Sequence, residues 1–515
     1  MTSTVTSPAV DTAIDTAIDT AIDTVDAPDE DVRADDDWSV WEDTRHSAAT
    51  GPERLEVTAP ATGRVLARIA AADVADLDAA VAAARTAQRS WARRTYDQRA
   101  AVLRRAAQLL EEQPERVVRW LVPESGSGQG KAAFEVSMLV GELNECAALA
   151  SAPYGELLRS TRPRLSLARR VPLGVVGVIS PFNFPAILSL RSVAPALAVG
   201  NAVVLKPDPR TPVSGGLALA ELLADAGLPE GLLHVLPGGA EVGQALVAHP
   251  DVPCISFTGS TAAGRAIAAA AAPLLKKVHL ELGGNNALLV LPDADVQAAA
   301  SAAAWGSFLH QGQICMTAGR HVVHASIAEE FTAALAEKAR NLPVGDPADP
   351  ANALGPIIDD RQLARVHDIV TAAVAHGATL VAGGEFGGLF YRPTVLAGVS
   401  ADNPAFRQEI FGPVAPVTTY ETLDEAVALI NDSEYGLSVG ILTGDAFAAF
   451  ELAARIESGM VHINDQTVDD EATIPFGGTK ASGSGGHFGG TRANLESFCE
   501  TQWVTVQSQI ERYPF

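Results

Sequence analysis

The sequence predicts an α/β protein with a doubly wound parallel sheet, followed by a second α/β unit. Three observations lead there. Beyond Pro172, five short apolar runs (173–180, 202–206, 232–236, 254–257 and 278–282) are separated by Ala- and Leu-rich helical stretches such as 213–226 and 261–272. Strands buried on both faces read as unbroken apolar runs, and the helices between them are the crossovers that a parallel sheet requires. A second alternating stretch over 286–464 has runs at 287–291, 321–324, 379–382 and 461–463. Ahead of both, residues 74–120 space apolar side chains three and four apart, with Arg and Glu on the other face, which is the helical period.

Taken in order, residues 11–26 repeat Asp-Thr-Ala-Ile three times and then drift. So little apolar area cannot form a core, and residues 1–37 are expected to be a disordered acidic tail. Folded sequence is expected to start near Trp38 and Trp41. Residues 152–171 read as an Arg-rich hairpin and 501–508 as a strand. Neither has an evident core partner, so both are read as arms that pair with another subunit. The run 171–190 carries no charge over 20 residues, the length of a membrane span, but Pro172, Gly174, Pro181, Asn183 and Pro185 interrupt it. It reads as a buried strand and turn.

The 515 residues carry 37 basic and 62 acidic side chains, a net charge of −25. Residues 1–50 hold 13 acids and two arginines, so −11 belongs to one short segment. The remaining −14 is an ordinary acidic surface and lacks the basic stripe that nucleic acid requires. Cys146, Cys254, Cys315 and Cys499 lie far apart, with no zinc or redox spacing. They read as reduced thiols of a cytoplasmic protein. No basic-then-apolar leader opens the chain, and no His-x-x-x-His pair suggests a metal.

Three groups carry the chemistry. Cys315 lies between Gly312 and Gly319 and follows Glu281 by 34 residues. Spacing alone leaves two readings open, a small buried apolar residue or a nucleophile whose thiolate is favoured by local amide dipoles. Glu281 closes an apolar run and precedes paired glycines. It reads either as a solvated strand end or as a partly buried general base. Asn183 lies between Pro181 and Pro185 on a stiff loop, as a turn residue or as an oxyanion donor. Lys206 leaves a buried strand toward ribose or phosphate. Thr258-Gly259-Ser260 at a helix start suits a pyrophosphate as well as it suits N-capping. Neither loop fits G-x-G-x-x-G or the P-loop pattern.

Together these pieces resemble the aldehyde dehydrogenase superfamily over about residues 55–510. The segments are Ser180-Pro181-Phe182-Asn183-Phe184-Pro185, Glu281-Leu282-Gly283-Gly284-Asn285-Asn286, Gly312-Gln313-Ile314-Cys315, Glu409-Ile410-Phe411-Gly412-Pro413 and Pro475-Phe476-Gly477-Gly478-Thr479-Lys480. Each is weak alone, but five in register are specific. Within the superfamily the chain looks closest to benzaldehyde and vanillin dehydrogenases.

The resemblance implies a cofactor domain at 38–281 with the 152–171 hairpin inserted, a catalytic domain at 282–485 and an oligomerisation arm at 486–515. It also implies a homodimer or homotetramer. The Cys315 thiolate would attack the aldehyde. Asn183 and the Cys315 amide would hold the oxyanion, and Glu281 would activate the water that clears the thioester. Cofactor contacts would come from Ser180, Pro181, Phe182, Lys206 and Asp208. The loops carrying Gly239, Gly243, Phe257, Thr258, Gly259 and Ser260 would add to them, as would Leu282, Glu409 and Phe411. Substrate contacts would come from Phe182, Arg191, Ile314, Met316 and Phe476.

Some positions depart from the family pattern. Pro209 stands where many NAD-preferring members have Glu, and neighbouring Arg210 has the charge to attract a 2′-phosphate. Both NAD and NADP are therefore open, with NAD favoured. Arg191 replaces a Trp that often lines the substrate entrance, to meet a polar substituent or a backbone carbonyl. Ser484-Gly485-Gly486-His487 stands where an Arg is usual. The expected activity is oxidation of an aromatic, benzaldehyde-like aldehyde to the acid. The alternatives are an aliphatic or semialdehyde dehydrogenase, a CoA-acylating enzyme, or a non-catalytic protein that keeps the fold.

Overall fold

The structure is a computed structural model that describes residues 47–515. The expectations for the acidic tail, Trp38 and Trp41 lie outside the described residues. The chain enters through a two-stranded antiparallel ribbon, β1 (Arg54–Thr58) and β2 (Val65–Ala70). Four helices follow: α1 (Val74–Trp91), α2 (Tyr96–Glu112), α3 (Glu115–Ser125) and α4 (Gln129–Leu149). Asp73 and Asp76 cap α1 reciprocally, so two otherwise unpaired donors at its start are satisfied.

The hairpin β3 (Gly155–Leu157) and β4 (Leu165–Pro172) comes next. The first large sheet then forms from β5 (Val175–Ile179), β6 (Ala202–Lys206), β7 (Leu233–Val235), β8 (Cys254–Thr258) and β9 (Lys277–Glu281). Its spatial order is β7-β6-β5-β8-β9, with every pair parallel, so the order reverses at β5. The crossovers include α5 (Pro185–Ala198), α6 (Ala218–Asp225), α7 (Ala240–Ala248) and α8 (Thr261–Ala271). Gly177 in β5 is needed for this packing, because a Cβ there would stand 3.1 Å from the side chain of Leu246 on α7.

A second sheet uses β10 (Asn286–Val290), β11 (Ala318–His324), β12 (Thr379–Ala382), β13 (Thr394–Ala397), β14 (Val414–Tyr420), β15 (Ser438–Leu442) and β16 (Met460–Ile463). Its order is β12-β13-β14-β11-β10-β15-β16, parallel except where β12 meets β13. Helix α9 (Val296–Phe308) covers one side, packed in a core with Leu288, Phe331 and Val417.

The last strand, β17 (Cys499–Val506), pairs antiparallel with β4 along its whole length. The two segments read as separate arms therefore complete each other in one three-stranded sheet. Leu157, Leu165, Trp503 and Val506 remain exposed on it. The uncharged run 171–190 becomes the end of β4, then β5, a loop and the start of α5. No helix among the described residues is long and apolar enough to cross a membrane.

Candidate active site

The loops singled out above leave the carboxyl ends of β5, β6, β7 and β8, the edge at which parallel sheets bind ligands. The Asn183 loop follows β5, and Pro185 starts α5 with its missing N–H at a position that needs none. The Asn183 side chain donates to the Gln313 carbonyl at 2.8 Å, and the Asn183 backbone carbonyl accepts from Lys131 Nζ at 2.8 Å. Lys131 is paired at 2.6 Å with Glu135, and both are buried. Glu135 also accepts from the Ala186 and Ile187 amides at the start of α5, where the helix dipole favours an anion. Buried charge-assisted bonds thus hold the middle of the loop and its junction with α5.

The Cys315 loop follows α9. His310, Gln311 and Gly312 all have left-handed backbones, at φ 48°, 57° and 66°. Two consecutive non-glycine residues in that region cost roughly 1–2 kcal/mol each. Gln311 Nε2 donates to the Gly126 and Pro356 carbonyls, each at 3.0 Å, and holds the turn. Asn286 Nδ2 donates to the Cys315 and Thr317 carbonyls, each at 2.8 Å. Ile314 and Met316 point into the core, while Cys315 between them stays partly exposed.

The thiol is pushed up to about 12 by burial of its surroundings and by the Glu409 and Glu281 carboxylates, against Arg191 and its own backbone amide. The amide contribution expected from the sequence is there, but burial and the two carboxylates act against it.

Glu281 ends β9, with Leu282 N donating to Ser482 O at 2.9 Å. Both carboxylate oxygens are buried without a hydrogen bond, and Oε1 lies 3.4 Å from His279 Nε2. Burial raises its pKa, while His279, Arg191 and the Gly478 amide lower it. The reading as a buried carboxyl, rather than a solvated strand end, holds. Glu409 accepts from Gly284 N at 3.0 Å and is pushed up to about 7, chiefly by burial.

Around the nucleotide loops, the Lys206 ammonium has no hydrogen bond among the described residues, and burial lowers its pKa. Gly243 faces its stem, since a Cβ there would lie 3.9 Å from Lys206 Cδ. Gly239 caps α7, and Ser260 caps α8 by accepting from Ala263 N. Phe257 and Leu282 pack in one small cluster at the end of β8. Gly259 lies against the Phe257 ring, next to the half-buried Thr258. Phe411 (φ 58°) meets Phe182 edge-on at 5.9 Å, beside the buried Ser180 and half-buried Pro181. An unpaired ammonium, two helix N-termini and glycines at one sheet edge fit a dinucleotide.

Asp208 and Arg210 are not free. Arg210 grips Asp208 with two bonds, at 2.9 and 2.8 Å, donates to Asp359 at 2.6 Å and lies 4.1 Å over the Phe182 ring. On the other side of Cys315, Arg191 is buried, ion-paired to Asp470 and 4.8 Å over Phe476. Within the protein its partner is not a backbone carbonyl but a carboxylate 279 positions away. A cavity of about 230 Å³ opens here, with Phe134, Met138, Glu142 and Ile187 in its wall.

Several contributors escaped the sequence reading. Lys131 and Glu135, four apart on one face of α4, carried a usable signal, because charges on a buried face need partners. Asp470 and His279 carried none.

The sequence pattern of the Aldehyde dehydrogenase family matches residues 46–504. Vanillin dehydrogenase of Amycolatopsis sp. (strain ATCC 39116 / 75iv2) is 58% identical over 459 residues, which is 89% of this chain and 94% of that protein. Benzaldehyde dehydrogenase [NAD(+)] of Pseudomonas putida is 48% identical over 478 residues, covering 93% and 97%. Among solved structures, the NAD+ complex of an aldehyde dehydrogenase from Bacillus cereus superposes with a TM-score of 0.86 at 35% identity, covering 89% and 94%.

Proposed function

The chain belongs to the aldehyde dehydrogenase family, and from that premise we propose that it oxidises aromatic aldehydes of the benzaldehyde and vanillin type to their acids. The observation that carries the chemistry is the 2.8 Å bond from the Asn183 amide to Gln313 O, two residues before Cys315. A side-chain amide has two N–H groups, so one anchors the loop and the other remains for an oxyanion. Cys315 gives up its proton to solvent, its thiolate attacks the aldehyde carbon, and the oxyanion accepts from the free Asn183 N–H and the Cys315 backbone N–H. Glu281 then draws a proton from the water that cleaves the thioester. When bound, the nicotinamide supplies the hydride acceptor. Lys206, Ser260 and Glu409 would hold the dinucleotide.

We propose NAD over NADP. Arg210 is the cation suited to a 2′-phosphate, and its fork is spent on Asp208 and Asp359. The Glu241 carboxylate, bonded to Gly239 N near Lys206, adds negative charge. The domain division is proposed as stated above, with the exposed face of the β3-β4-β17 sheet meeting a second subunit. The test is initial rates on benzaldehyde, vanillin, succinic semialdehyde and hexanal with each cofactor. Aromatic substrates with NAD+ are expected to lead, and higher kcat/KM for hexanal or the semialdehyde would refute the substrate class.

A further inference from the structure

His279 and Glu281 stand two apart on β9, so their side chains share one face of the sheet. Both are almost fully buried. All four of their polar side-chain atoms lie outside hydrogen-bonding geometry, which is unfavourable for buried polar groups. The nearest approach between the two groups is 3.4 Å, from His279 Nε2 to Glu281 Oε1.

The imidazole is fixed from behind. The Phe488 ring lies 4.0 Å from it, centroid to centroid. Gly486 leaves it room, because a Cβ there would come within 2.5 Å of His279 Cδ2. Gly486 belongs to the run that departs from the family pattern, and the departure now has a physical correlate: it makes space for a histidine behind the carboxyl.

Resting on the reading of Glu281 as general base, we propose that His279 is its positioning residue, donating from Nε2 to Oε1 so that the carboxyl stays ionised with Oε2 turned to the water. A buried carboxyl with no partner takes up a proton and ceases to be a base. The other charged and titratable groups around Glu281 are Arg191 on α5 and Cys315, with Glu409 beyond the thiol. Besides His279, the ionised form is favoured by Arg191, whose guanidinium is already paired with Asp470, and by the Gly478 amide.

The experiment is a pH series of burst and post-burst NADH formation with benzaldehyde. In His279→Ala the burst amplitude is expected to stay, while the acid limb of the post-burst rate moves up by about one pH unit, so that at pH values below both midpoints the rate falls roughly tenfold. His279→Asn keeps a donor and should recover most of the loss. Gly486→Ala keeps the histidine but crowds it, and should shift the limb in the same direction. A His279→Ala profile that superimposes on the parent's overturns the proposal. So does a uniform loss at every pH with the burst lost too, which is what packing damage alone would give. Glu281→Gln is the separate control. A burst without turnover there keeps Glu281 as base even if His279 fails, whereas normal turnover removes the base itself.

Discussion

The Asn183 amide donates to the Gln313 carbonyl across 2.8 Å, tying the loop after β5 to the loop after α9 over 130 positions of sequence. One bond thereby orients a donor and braces the nucleophile's loop. Asn183→Ala should lower kcat about 10²–10³-fold with little change in KM, the range found when one oxyanion donor is removed. Steady-state kinetics on benzaldehyde decide it. An unchanged kcat would remove Asn183 from the chemistry.

Cys315 is pushed up to about 12. A raised thiol pKa means that the thiolate fraction climbs with pH and does not level off in the accessible range. Iodoacetamide labelling of Cys315 in the cofactor-free protein should therefore speed up about tenfold per pH unit between pH 7 and 10. Mass spectrometry of the adduct reads the rate. A plateau near pH 8 would mean that burial and the two carboxylates do not control the thiol.

Glu409 is pushed up to about 7, so its carboxylate is fully charged only above that pH. If it accepts from ribose hydroxyls, NAD+ affinity should weaken ~3–10-fold between pH 8 and pH 6. Fluorescence titration measures this, and Glu409→Gln should flatten the dependence. A pH-independent Kd in the parent enzyme would separate Glu409 from the cofactor.

Lys131 and Glu135 are buried together behind the Asn183 loop. Lys131→Met leaves a buried carboxylate uncompensated and should cost roughly 3–5 kcal/mol, seen as a lower midpoint of thermal inactivation. Adding Glu135→Leu should return part of that loss. A midpoint unmoved by the single change would show that the pair does not brace the loop.

Much of this was legible in the sequence. Strands 202–206 and 379–382 fall where the apolar runs put them, because turn-formers bound each run sharply. The Asn183 loop meets the Cys315 loop through the Gln313 carbonyl, and Glu281 lies near enough to Cys315 to raise its thiol. What stayed hidden depends on pairings that no local pattern encodes. The partner of Arg191 lies 279 positions away, and Arg210 spends its charge on Asp359, 149 positions on. The imidazole of His279 has meaning only beside the Phe488 ring. The raised Cys315 thiol follows from its crowded surroundings and from the Glu409 and Glu281 carboxylates, which come from distant parts of the chain.

The pairing of β17 with β4 sets an order in time. A ribosome finishes Leu165–Pro172 hundreds of codons before it makes Cys499–Val506, so the earlier strand waits with one edge open throughout synthesis. Premature termination anywhere before the last few dozen codons would leave that edge permanently bare, and bare edges recruit other chains into aggregates.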